Sequence, residues 1–199
     1  MSKPSCDLRT NQSLPGSVFF TDPIKLPGAP PPSPNGRVLY EDLGIRIDRE
    51  GIWYYHGSPI RRKELICLFA HALTRDERGQ YWLVTPAEMG PIEVEDVPFL
   101  VIEMFVSGLG DAQVISFRTN VDEVVTVSDD HPLRIVSRGE SGDVAPYILL
   151  NKRLEARVSR SVYYDLVELG VEADIDGRRC FGVWSSGRLF PIGWLDEAS

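Results

Sequence analysis

The chain has 199 residues, and its 21 Lys plus Arg against 29 Asp plus Glu give a formal net charge of −8. Hydrophobic residues make up 43% and charged residues 25%, ordinary proportions for a globular protein with a buried core, in one domain or two small ones in contact. The acidic balance argues against a general nucleic-acid platform, and no apolar run approaches the roughly 20 residues of a membrane span.

Residues 1–36 differ from the rest. They hold 8 of the 15 prolines, among them Pro30-Pro31-Pro32 and Pro34. Proline fixes φ and removes a donor, so this segment is predicted to be an extended or disordered tail. Val18-Phe19-Phe20 is its one apolar island. Met1 to Thr10 lacks the apolar stretch of a secretory signal. The three cysteines, Cys6, Cys67 and Cys180, show no C-x-x-C spacing. Both observations predict a cytoplasmic protein with reduced thiols.

The body starts near Arg37. Ile45 and Ile47, a turn over 48–51, then Ile52 to Tyr55 predict a hairpin. Ser58 and Pro59 suit the N-cap and first position of a helix, with Leu65, Leu68, Phe69, Ala72 and Leu73 as its apolar stripe. Strands are predicted at 81–84 and 92–95, then at 99–106, 114–118, 123–127 and 133–136. Residues 138–142 read as a loop. Further strands over 147–150 and 154–158 flank Asn151-Lys152. Ser159 is placed to cap a second helix, with Val162, Tyr163, Leu166 and Val167 on one face and Gly170 at its end. Asp176-Gly177 is a hairpin turn before strands at 180–184 and 189–192. The fold class is therefore α+β, in a 37–96 half and a 97–199 half.

The two helical regions echo each other. Ile60-x-Arg62-x-x-Leu65-x-x-Leu68-Phe69 lies over Val158-x-Arg160-x-x-Tyr163-x-x-Leu166-Val167. Tyr81 to Val84 lies over Phe181 to Trp184, and Pro91-Ile92 over Pro191-Ile192. The offset is 98 at the helices and 100 at the strands, so one short indel suffices. The echo predicts two related halves, with a ligand where they meet.

Several chemistries find little support. Gly182-Val183-Trp184-Ser185-Ser186-Gly187 has one residue too many for a G-x-S-x-G nucleophile elbow and reads as a polar hairpin turn. Cys67 and His71 share a helix face without a second ligand pair, and Asp129-Asp130-His131 reads as a turn, so no metal is expected. Gly108-x-Gly110 lacks the rest of a phosphate loop. Glu88, Glu93, Glu95, Asp96 and Glu103 read as a solvated face, with a carboxylate-dependent hydrolase using Glu88 or Glu93 as an alternative. No cofactor is indicated.

The helix starts carry the main site expectation. Arg61-Arg62-Lys63 and Arg160 oppose the helix dipole, at a cost of a few tenths of a kcal/mol each. Helix-start N–H groups favour anions, so a phosphate or carboxylate would satisfy both. The predicted ligand-binding set is Arg62 and Arg160 for the anion, Arg118, Asn120 and Arg153 for polar contacts, and Trp82 or Trp184 for stacking.

Residues 48–62 (DREGIWYYHGSPIRR) resemble the signature of a bacterial family known as domain of unknown function 1285. So do 81–96 (YWLVTPAEMGPIEVED), Phe117-Arg118-Thr119-Asn120, His131-Pro132-Leu133-Arg134, 154–169 and 182–187. The resemblance spans about 37–196. It implies two related halves, the C-terminal one superficially like a pleckstrin-homology barrel. It further implies a nucleotide-like ligand between them and a role in signalling. It implies no catalytic residues. Three functions stay open: a non-enzymatic ligand-binding or regulatory protein for a phosphorylated or nucleotide-like molecule, the hydrolase, and a protein-interaction module that uses an exposed strand edge or the apolar tail.

Overall fold

The computed structural model describes residues 36–138, 143–151 and 153–195. The proline-rich tail with Cys6 and Val18-Phe19-Phe20, most of the loop at 138–142, and Lys152 lie outside the described residues. The chain divides into two compact units, one ending at Glu95 and one starting at Asp96.

The first unit contains β1 (Val38–Leu39), β2 (Ile45–Ile47), β3 (Trp53–Tyr55), β4 (Ser58–Pro59), α1 (Lys63–Ala72), β5 (Leu73–Arg75), β6 (Tyr81–Val84) and β7 (Glu88–Val94). Its sheet runs β4-β3-β2-β7-β6-β5, with β1 also on β7. β7 is the spine. It pairs antiparallel with β6, and parallel with both β1 and β2. Alternation explains the packing: Ile45, Ile47, Tyr81 and Leu83 are buried, while Arg46 and Trp82 on the opposite face are half-buried.

The helix starts later than the sequence predicts. Ser58 and Pro59 form β4, paired with Tyr55 and Tyr54, and the N-cap is Arg62. The reason lies one turn upstream. His56 and Gly57 take φ of 45° and 79°, the two positive values of a tight two-residue hairpin. That turn makes Ser58-Pro59 a returning strand before any helix can begin. The predicted apolar stripe is also displaced. Ala70 is the buried residue of α1, and Phe69 stacks on Trp53 at 6.2 Å, while Leu68 is exposed.

The second unit contains β8 (Phe99–Ser107), a 3-10 turn (Gly110–Ala112), β9 (Val114–Thr119), β10 (Val124–Thr126), β11 (Leu133–Arg138), β12 (Asp143–Asn151), β13 (Leu154–Val158), α2 (Arg160–Glu168), β14 (Val171–Ile175), β15 (Arg178–Ser185) and β16 (Arg188–Trp194). One sheet runs β10-β9-β8-β13-β12-β11 and the other β14-β15-β16. β8 and β13 are parallel, and the other neighbours are antiparallel. Val101, Ile115, Phe117, Val125, Ile148, Leu166 and Ile192 are among its most buried side chains.

Each unit thus runs hairpin, helix, then a three-stranded antiparallel meander. The second hairpins, β6–β7 and β15–β16, share three strand pairs, whereas β5–β6 and β14–β15 differ in register. Trp82 faces Pro91, Leu83 faces Gly90 and Val84 faces Met89. Gly182 faces Pro191, Val183 faces Phe190 and Trp184 faces Leu189, each at an offset of 100. Among the described residues, no helix is long and apolar enough to cross a membrane.

Candidate functional site

Both helix starts carry an arginine, as the N-cap of α1 and as the first helical residue of α2. At α1, the N-cap Arg62 is exposed and has extended φ/ψ, and no side chain caps the helix. At α2, Ser159 occupies the predicted N-cap position but its hydroxyl lies 3.3 Å from the Ser161 hydroxyl, so α2 has no side-chain cap either. Arg160, the first residue of α2, is exposed. Glu155, the neighbouring acid, is engaged by the Arg134 guanidinium at 2.8 Å. Each helix therefore opens without a hydrogen bond from its N-cap side chain and with an exposed guanidinium at its start.

The other predicted ligands have structural partners. Arg118 on β9 pairs with Glu103 across the strand pair and with Asp122 at 3.1 Å. The Glu103 hydrogen bond raises the Arg118 pKa against the opposing effect of burial, and Asp122 adds to the rise. Asn120 Oδ1 accepts from the Leu100 N–H at 3.1 Å, and the Asn120 backbone N–H donates to the Leu100 carbonyl at 2.8 Å. This side chain extends the sheet edge beyond β9. Arg153 is exposed in the turn between β12 and β13.

Trp82 is half-buried on β6 and its indole N–H donates to Asp76 Oδ2 at 3.1 Å. Asp76 Oδ1 accepts the Arg78 and Gln80 amides, both at 2.9 Å. Asp48 does the same in the preceding hairpin. Its Oδ1 accepts from the Glu50 and Ile52 amides and its Oδ2 from the Tyr54 hydroxyl. In both, one carboxylate closes the turn and holds an aromatic ring six residues on. Trp184 on β15 is half-buried, and its carbonyl accepts from Gln113 Nε2 at 2.8 Å.

The Asp76 clasp has a pH signature. Burial pushes its carboxyl up, but the Trp82 N–H, the Gln80 and Arg78 amides and the Arg78 charge outweigh burial and hold it below its ordinary value. A folded pKa below the unfolded one adds stability above the unfolded value, and that stability is lost as pH falls through the folded value. Asp76→Ala is expected to be less stable than the natural chain at neutral pH. Urea midpoints should show that difference shrinking as pH drops below the ordinary carboxylate pKa. A difference independent of pH would contradict the clasp.

The remaining sequence candidates resolve as structure. Ser185 is fully buried, accepting from the Ile115 N–H at 3.0 Å and donating to the Val127 carbonyl at 2.8 Å. It sits at the end of β15, before the tight turn at Ser186-Gly187. Its hydroxyl is committed and not aimed at solvent, so the hairpin reading of this motif holds. His71 Nδ1 lies 2.7 Å from the Cys67 carbonyl. No group of three potential metal ligands occurs among the described residues. Burial and the Asp174 charge raise the Cys180 thiol pKa, which leaves it a poor nucleophile. Glu88 accepts from the Tyr40 hydroxyl at 3.3 Å, Glu95 pairs with Arg46, and Glu93 is exposed on β7.

One polar row was not visible in the sequence. Arg134, Tyr147 and Arg157 are direct neighbours across β11, β12 and β13. The Tyr147 hydroxyl donates to Asp96 Oδ1 at 3.0 Å and Oδ2 at 3.1 Å, and Arg134 stacks 4.4 Å above the ring centroid. Arg157 Nε lies 3.8 Å from Asp96 Oδ2. Two arginines face Asp96 and Glu155, so the row is charge-balanced. Only cross-strand register brings these residues together.

The architecture is that of a mixed α+β protein, mostly strands, with two helices. Residues 35–97 match the family model described as "Domain of unknown function (DUF1285), N-terminal domain", and residues 98–192 match "Protein of unknown function (DUF1285), C-terminal domain". The chain belongs to the DUF1285 family. It is similar to a solved DUF1285 family protein from Silicibacter pomeroyi DSS-3, with 35% identity and a TM-score of 0.72 over 84% of this chain and 92% of that one. It also resembles one from Shewanella baltica OS155, at 21% identity and a TM-score of 0.50 over 63% of this chain and 91% of that one, a likeness of fold alone. No curated protein matches the chain.

Proposed function

We propose that the chain is a non-enzymatic binding or regulatory protein of the cytoplasm whose ligand is a phosphorylated, nucleotide-like small molecule. The observation that carries this reading is the pair of helix starts, each without a side-chain cap and each with an exposed arginine, Arg62 and Arg160. A bound anion would accept from first-turn amides and pair with the guanidinium. Arg153 and the Trp184 ring are the accessory contacts of this reading. Arg118, Asn120 and Trp82 enter it as residues that already hold the local backbone in shape.

The same reading treats the two units as copies of one ancestral module, the second elaborated toward a pleckstrin-homology-like barrel. The three strand pairs shared by β6–β7 and β15–β16 at an offset of 100 support that descent. It would explain why an arginine recurs at both helix starts. A role in signalling belongs to the same reading.

A thermal-shift panel of nucleotides and sugar phosphates tests the reading. A ligand at about 100 times its Kd adds roughly 2.7 kcal/mol to stability, a shift that is easily read. The expected result is a raised Tm with at least one phosphorylated compound, lost in Arg160→Ala. A panel without any shift sinks the proposal.

A further inference from the structure

We propose that the outer edge of β14 is a strand-addition site for an extended segment of a partner protein in which basic and apolar residues alternate. β14 pairs with β15 in unbroken register from Val171↔Gly182 to Ile175↔Arg178. No other strand of the described residues pairs with it. It contains neither proline nor bulge, two of the means of blunting an edge, and carries only the charges of Glu172 and Asp174. The other edges are different. β4 carries Pro59, β5 and β10 have three residues each, and β11 lies against β16.

The tight turn at Asp176-Gly177 makes Ile175 and Arg178 the hydrogen-bonded pair that closes the hairpin. Alternation then directs the backbone groups of Val171, Ala173 and Ile175 toward β15. Those of Glu172 and Asp174 point outward, offering two N–H donors and two carbonyl acceptors to an incoming strand.

Side-chain alternation specifies what fits. Glu172 and Asp174 are exposed on one face. Val171, Ala173 and Ile175 share the other with Cys180, the partner of Ala173. An added strand therefore meets carboxylates at alternate positions on one face and apolar side chains on the other. Lysines or arginines at every second residue, with apolar residues between, match both. Glu172 bonds Arg179 at 2.8 Å, but both are well exposed, and such a pair is readily exchanged. A second copy of β14 is the wrong occupant, because pairing would set acid opposite acid.

The probe is a synthetic heptapeptide of alternating lysine and valine, with a glutamate–valine peptide as control. Added to the full chain, the lysine peptide should slow amide exchange at Glu172 and Asp174, and the control should not. Glu172→Gln keeps the outward N–H and loses the charge. Glu172→Pro loses both, at an edge position where the ring is tolerated. The proline variant should bind about tenfold more weakly than the glutamine variant, the worth of one backbone hydrogen bond. Equal binding by the two variants, no binding by the lysine peptide, or protection away from β14 would overturn the proposal. If circular dichroism shows the proline variant unfolded, the exchange pattern of the natural chain decides alone, slowed amides at both positions supporting strand addition and unslowed ones refuting it.

Discussion

Trp53→Ala is expected to destabilise the first unit by about 3–5 kcal/mol, the range for deleting a large buried aromatic. Trp53 has no exposed surface and sits on β3 opposite Ile47, which is equally buried. Its ring stacks on Phe69 of α1, so one side chain ties the first hairpin to the helix. The indole Nε1 is buried without a hydrogen-bond partner. Trp53 therefore carries an unrecovered desolvation cost within a favourable packing contribution. Trp53→Phe removes that donor and keeps most of the ring, so it should cost far less than the alanine variant. Urea unfolding followed by circular dichroism separates the two. Equal losses for alanine and phenylalanine would mean that the packing account of this ring is wrong.

Ser185→Ala is the second large effect, at about 2 kcal/mol. It strands the Ile115 N–H in a buried place, and an unsatisfied buried donor costs about 1–3 kcal/mol. The Val127 carbonyl is partly insured, since the Ser186 hydroxyl also donates to it at 3.0 Å. Ser186→Ala alone should therefore be mild, and the double variant should exceed the sum of the two, because the carbonyl then loses both donors. Calorimetric or urea-derived stabilities of the three variants check this ordering. A loss for Ser186→Ala as large as for Ser185→Ala would contradict it. The same hydroxyl explains why the serine pair is no nucleophile: it joins β15 to the start of β9 and the end of β10, with Gln113 beside it.

Much of this fold is legible in residue pattern. Strands at 81–84 and 154–158 are found where alternation puts them, because strict alternation fixes which face is buried. The turns at Asp176-Gly177 and Ser186-Gly187 are legible for a similar reason, since few residues accept positive φ at two successive positions. The start of α1 departs from its local signal because two signals compete within a few residues. Ser58-Pro59 is a good helix opening, but His56-Gly57 closes a hairpin first, and cross-strand pairing with Tyr54 and Tyr55 wins. β5 was hidden because it follows α1 directly, and a few apolar residues there continue either pattern.

The site was legible only in part. That Arg62 and Arg160 stand at helix starts follows from local sequence. That Arg118 is held by Glu103, fifteen residues away, and Asn120 by Leu100, twenty away, does not. Those contacts depend on the β8–β9 register, which includes a bulge between Val101 and Glu103. A bulge shifts every following partner, so the polar residues of the 117–120 motif looked available when they were committed to the strand pair. The acidic charge of the whole chain is likewise a poor guide to these positions. Glu103, Asp122, Asp96 and Glu155 are paired with arginines, while the helix-start arginines face solvent.

The central claim is that an anion binds at arginine-bearing helix starts. It is tested most directly by an NMR titration of the full chain with adenosine monophosphate and, separately, inorganic phosphate, following backbone amides at 62–65 and 160–163. The account predicts saturable shifts concentrated at one or both of these first turns, larger for the nucleotide than for phosphate, and abolished in Arg62→Ala or Arg160→Ala at the corresponding helix. Amides at both helix starts that stay in place while either compound is raised to millimolar concentration, or shifts that survive both substitutions, would contradict it.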